Sequence, residues 1–179
     1  MLGFSDQVEM YLKPKLGTSH VFHMAQQIFE KLALEREFPT RRGADFSVPL
    51  KFLAGRLKIR HSVIVISDVV DMLNDQTSID FKLLRMLAAK HDMIVIILDD
   101  PKEFQVKSRL GYIRISDMET GKQTVISARK ARAIRQGIEE SRESLQYKLK
   151  YQAGIDSVVL TPDNHIEELP KFLISRTAR

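Results

Sequence analysis

Two stretches of this chain run into carboxylates: His61-Ser-Val-Ile-Val-Ile-Ser-Asp68-Val-Val-Asp71 and, thirty positions on, His91-Asp-Met-Ile-Val-Ile-Ile-Leu-Asp99-Asp100-Pro101. Clustered carboxylates are what a Mg²⁺ site for phosphoryl chemistry needs, and Asp68, Asp71, Asp99 and Asp100 are the candidates for it. The competing account is that they cap the helices that follow each strand. Other chemistries find less support. The eight glycines are scattered, with neither GxGxxG nor GxxxxGK[ST] to cradle a phosphate. His20 and His23 lie three apart, but no HExxH or third ligand accompanies them. Ser67 has no G-x-S-x-G around it. With no cysteine, disulfides, thiolate metal sites and a catalytic thiol are excluded.

The elements that must hold those carboxylates follow from the spacing of apolar residues. Short, β-branched, nearly uninterrupted runs read as parallel strands buried on both faces, here 62–67 and 93–98. A helix near 78–90 joins them, with Ile79, Leu83, Leu84, Met86 and Leu87 on its apolar side. In open α/β sheets, sites gather in the crevice outside the carboxyl ends of the strands, which is where the four aspartates would sit. His61 and His91 precede the strands at matching positions, and a structural role at the opposite end is expected of them.

The N-terminal residues alternate as a hairpin, Met1 to Ser5 and Val8 to Leu12. Helices follow at about 20–34 and 46–58, with Pro49 in the first turn of the second. A second hairpin is expected at 111–116 and 122–127. The longest helix should span about 129–152, carrying Ile134, Ile138, Leu145 and Leu149 on one face and stopping at Gly154. A strand at 157–161 and a short helix at 166–174, kinked or broken by Pro170, complete the chain. The expectation is one α/β domain over residues 1–179, with a doubly wound, mostly parallel sheet flanked by helices and β-hairpins at its margins.

Formal charge is +5, from 28 basic and 23 acidic side chains. Residues 1 to 60 hold 10 basic against 6 acidic, so the excess lies in the N-terminal third, at Lys13, Lys15, Arg41, Arg42, Lys51, Arg56, Lys58 and Arg60. Aromatic residues do not interleave with these charges as a single-strand nucleic-acid platform requires, and nucleic acid is not the expected partner. Arg129, Lys130, Arg132 and Arg135 read as a solvated helix face. No apolar run approaches the roughly 20 residues of a membrane span, and a cytoplasmic location is expected.

Several motifs fall in the order and spacing of one bacterial family: Leu2-Gly-Phe-Ser-Asp6, Tyr11-x-x-Pro14, Gly17, His20, Gly43-Ala44-Asp45-Phe46, Ile66-Ser67-Asp68, Asp100-Pro101-Lys-Glu103, Gly111, Asp117-x-Glu119-Thr120-Gly121 and Gly154-Ile-Asp-Ser-Val-Val-Leu-Thr161. Together they resemble the family labelled domain of unknown function fifty-eight, whose C-terminal part is a von Willebrand factor type A-like domain. The resemblance covers nearly the whole chain. It implies a Rossmann-type sheet with a cation at its top, held by an Asp-x-Ser-x-Ser loop, a threonine and an aspartate ending the fourth strand. Asp68 matches that aspartate. Ala44 stands where the family has threonine, with Asp45 beside it, and no Asp-x-Ser-x-Ser occurs.

By this resemblance the chain begins at the family's second strand and lacks the first strand and helix. The site is then degenerate: Asp68 is its remnant, weak Mg²⁺ binding is the most to expect, and no resident cofactor is implied. The gap would leave two open apolar strand edges, which recruit neighbours, so a homo-oligomer is expected. The functional expectation is a non-enzymatic protein-interaction or adaptor module, working through Asp45, Asp68, Asp71 and Asp100, with a MoxR-type AAA+ ATPase as partner. The alternative is a Mg²⁺-dependent phosphohydrolase or nucleotide-binding enzyme using the strand-end carboxylates.

Overall fold

A computed structural model describes residues 1–37, 45–68, 81–100, 111–116 and 123–177. Among these, seven strands and five α-helices follow in the order β1 (Leu2–Phe4), β2 (Val8–Tyr11), α1 (Thr18–Glu37), α2 (Ser47–Arg56), β3 (Ser62–Ser67), α3 (Phe81–Lys90), β4 (Asp92–Leu98), β5 (Tyr112–Ser116), β6 (Gln123–Ser127), α4 (Ala128–Lys148), β7 (Asp156–Leu160) and α5 (His165–Thr177). A π-turn over Leu149–Ala153 extends α4. Gly154 then takes the left-handed conformation (φ 69°) that ends it.

The parallel pairing expected of the two carboxylate-tipped runs is present. β3, β4 and β7 form a three-stranded parallel sheet with β4 in the centre. β4 is central because Met93 through Ile97 are apolar without interruption, so both faces can be covered, and all five are buried. On one face Val95 and Ile97 meet Leu84, Leu87, Leu145 and Leu149. On the other, Ile94 and Ile96 meet Leu169 and Phe172 of α5. Each such side chain contributes roughly 1.5–3 kcal/mol on leaving water.

Two expectations are corrected. The hairpins are not margins of one continuous sheet: β1–β2 and β5–β6 are separate two-stranded antiparallel sheets. Pro170 does not break the last helix, which runs unbroken through it. Pro170 forgoes the bond that its N–H would make to the Ile166 carbonyl, and the helix continues because Leu169 and Phe172 on either side of it pack against β4. The predicted bounds of the other described elements agree to within a few residues, and Ile79 lies outside the described residues. No helix of the described residues is long and apolar enough to cross a membrane.

Candidate functional site

The strand-end carboxylates differ in what they do. Asp99, just beyond β4, is held by a two-toothed ion pair: Arg142 of α4 donates Nη2 to Oδ1 and Nη1 to Oδ2, both at 2.9 Å. Both side chains are largely buried, at 17% and 13% exposure. The guanidinium occupies both oxygens and puts a positive charge where a cation would sit. The Nε of Arg142 is itself buried without a hydrogen-bond partner. Asp99 is further pinned by its N–H, which donates to the Leu160 carbonyl at 2.9 Å.

Asp45 does the work of a helix-entry residue. Its Oδ1 accepts from the Ser47 N–H at 2.9 Å and its Oδ2 from the Ser47 hydroxyl at 3.1 Å, satisfying groups at the start of α2. Asp68 is exposed at the end of β3, where the Ser67 hydroxyl donates to it at 3.5 Å. Asp100 is half-buried beside Asp99. Asp71 lies outside the described residues. Among the described residues no group of three or more histidine, aspartate or glutamate side chains is placed to hold a metal ion.

At the opposite end of the sheet, the His61 N–H donates to Nδ1 of the buried His91 at 3.3 Å, and the Asp92 N–H donates to the His61 carbonyl at 2.9 Å. The paired histidines therefore close the strand entrance, as their matching positions suggest. Nearby, Arg176 of α5 bonds Asp156 at 3.0 Å and Asp92 at 2.5 Å, joining the first residues of β7 and β4.

Among the described residues a concavity lies away from the strand ends. It is an apolar groove of about 580 Å³ between the β1–β2 hairpin and β3, walled also by α1 and α2. Leu2, Gly3 and Phe4 line it in succession, and so do Ser62 through Ile66. Among the described residues β3 is the last strand of its sheet, and its Ile64 and Ile66 are 53% and 59% exposed. Leu50 and Leu53 of α2 and Met24 and Ile28 of α1 complete the apolar lining.

Reasoning from sequence missed the Asp99–Arg142 pair and the groove. A signal for the first exists: Arg142 follows Ile138 by four and precedes Leu145 by three, so it stands inside the apolar stripe of α4, where a charge needs a buried partner. The groove has no such signal, because no contiguous segment makes it.

A sequence model of the family described as "Protein of unknown function DUF58" matches residues 1–147. No curated protein and no solved structure matches the chain.

Proposed function

The chain belongs to the DUF58 family of proteins of unknown function, and from its strand ends and its groove we propose that it is a non-enzymatic protein-interaction module of von Willebrand A type. The observation that carries this reading is the ion pair of Asp99 with Arg142. A phosphohydrolase built on strand-end carboxylates needs Asp99 to face a cation, and here a guanidinium takes that place. Asp45 is likewise engaged at the start of α2. The groove between the hairpin and β3 is apolar and concave, a character that supports binding of another chain. The resemblance to von Willebrand A domains supports a MoxR-type AAA+ ATPase as the partner class, which would meet the domain at Asp68, Asp71 and Asp100.

Calorimetric titration with Mg²⁺ and Mn²⁺, beside an assay on generic phosphoesters, tests the reading. No turnover, and cation binding no tighter than millimolar, is expected. Micromolar binding that disappears in Asp68→Ala, or turnover that Asp99→Asn abolishes, overturns it in favour of the enzyme.

A further inference from the structure

β7 carries a short free edge whose limits the hydrogen bonds define. Among the described residues β7 pairs with β4 on one side and with no strand on the other. The Leu160 carbonyl accepts from the Asp99 N–H at 2.9 Å, so the main chain of Leu160 faces β4. Main-chain direction alternates along a strand, which sets Val158 and Asp156 toward β4 as well and turns the N–H and C=O groups of Ser157 and Val159 outward. The edge is bounded at both ends by bonds already made. Ile155, the outward residue before it, donates its N–H to the Leu149 carbonyl at 2.9 Å. Thr161, the outward residue after it, donates its N–H to Oδ1 of Asn164 at 2.7 Å, and its carbonyl takes the N–H groups of Asn164 and His165. Two outward residues are left, one on each side of Val158, and neither a proline, a bulge nor a charged side chain guards them.

Such an edge is complementary to itself. An antiparallel pair about a two-fold axis at Val158 sets Ser157 of each copy opposite Val159 of the other, and each of these two pairs exchanges two main-chain bonds. Moving the axis to Ser157 or to Val159 would call on Ile155 or Thr161, whose N–H groups are taken. One register is left. It also carries Pro162 and Asp163 of one copy past the start of β7 in the other, where a cavity of about 450 Å³ is lined by Tyr147, Lys150, Tyr151 and Ser157 among others. Tyr147 and Tyr151 are exposed with ring centroids 4.6 Å apart, and the Lys150 ammonium lies 5.6 Å over the Tyr151 ring. Lys148 and Lys150 are exposed before the start of β7 and Asp163 beyond its finish, so antiparallel pairing brings unlike charges together.

We propose that the chain forms a homodimer by antiparallel pairing of β7 with β7 of a second copy, with Pro162 and Asp163 of each seated against Tyr147, Lys150 and Tyr151 of the other. Two three-stranded sheets then become one of six strands. Main-chain bonds fix the register, and the aromatic pair and the lysine receive a proline ring and a carboxylate. The pairing uses none of the strand-end carboxylates, so it stands apart from the reading given to Asp68, Asp71 and Asp100.

The chain has no cysteine, so a single introduced one reports the register. Val158→Cys sets two thiols across the axis in a closely spaced antiparallel pair, within reach of a disulfide, whereas Ser157→Cys faces Val159 and not its own copy. Under mild oxidation of the full chain, Val158→Cys is expected to give at least tenfold more disulfide dimer than Ser157→Cys. In the unaltered chain, amide hydrogen exchange at Ser157 and Val159 is expected to slow at least tenfold from dilute to concentrated solution, with Val158 and Leu160, bonded to β4 in either state, unchanged. Asp163→Lys is expected to weaken the dimer about threefold in sedimentation, and adding Lys150→Asp to restore it. Both residues are exposed, so an unaltered melting curve in dilute solution shows that the weakening is not unfolding. A monomer at every concentration, equal cross-linking of the two cysteine variants, or a dimer whose Ser157 and Val159 amides exchange as fast as in the monomer overturns the proposal.

Discussion

β4 has a Val/Ile-bearing parallel strand on each side, and the two are finished differently. On the β7 side, α5 covers Ile94, Ile96 and Leu160, and Arg176 ties the starts of both strands to the helix. On the β3 side, Ile64 and Ile66 point the same way as their paired neighbours Ile94 and Ile96 but remain more than half exposed. The residue types are nearly interchangeable, so the difference lies in what lies over and beside each strand. A strand's own pattern tells which faces can be buried; the cover decides which are. Asp99, on the covered side, meets a helix that brings it an arginine.

The largest effect that sharpens this contrast is in the finished half. Ile97→Ala removes a fully buried side chain and is expected to cost about 4 kcal/mol in urea unfolding, transfer and cavity terms together. Ile64→Ala, across the sheet, is expected to cost less than about 1 kcal/mol. Equal costs for the two would mean that β3's outer face is covered in solution and would break the comparison.

Next in size is the buried pair. Arg142→Met leaves Asp99 largely buried without its counter-charge and is expected to cost about 3 kcal/mol. Combining it with Asp99→Asn removes the stranded charge, and the double variant should regain most of that loss. A double variant no more stable than the single one would show that Arg142 matters for packing and not for the charge of Asp99. Smaller again, Arg176→Ala is expected to cost about 1–2 kcal/mol by releasing two charge-assisted bonds at the partly exposed strand entrance.

Much of this arrangement was legible in the residues. The β-branched runs gave the parallel pair, because a fully buried strand admits few other residue types, and the matching histidines marked their common entrance. The separation of the hairpins was not legible. Strand propensity tells that a segment is extended but not which edge it joins, and β1 contributes only Leu2–Phe4. The Asp99–Arg142 pair spans 43 positions, so only the misplaced charge in the stripe of α4 hinted at it. The groove is lined by segments 60 residues apart in the chain, from Leu2 to Ser62, which sequence periodicity does not bring together.

The smallest effect expected lies at the seam between the two halves and is read as a pH dependence. His91 is buried at 4% exposure, and its Nδ1 accepts the His61 N–H, so the ring must be neutral with its proton on Nε2. Burial pushes its pKa below the ordinary 6.5, and the neighbouring His61 and Lys90 push it further in the same direction. Below pH 6.5 the unfolded chain therefore takes up a proton that the folded chain refuses. Stability is complete above that pH and declines as the pH falls, levelling once the folded site is also protonated. Protonation at Nδ1 would also remove the acceptor for the first N–H at the β3 entrance, so the loss should appear first where β3 joins β4. His91→Gln keeps a carbonyl acceptor and removes the titration. Its unfolding free energy, measured in urea from pH 7.5 to 5, is expected to fall less steeply than that of the unaltered chain. Parallel slopes would show that the buried ring keeps its ordinary affinity for protons and that the seam is indifferent to its charge.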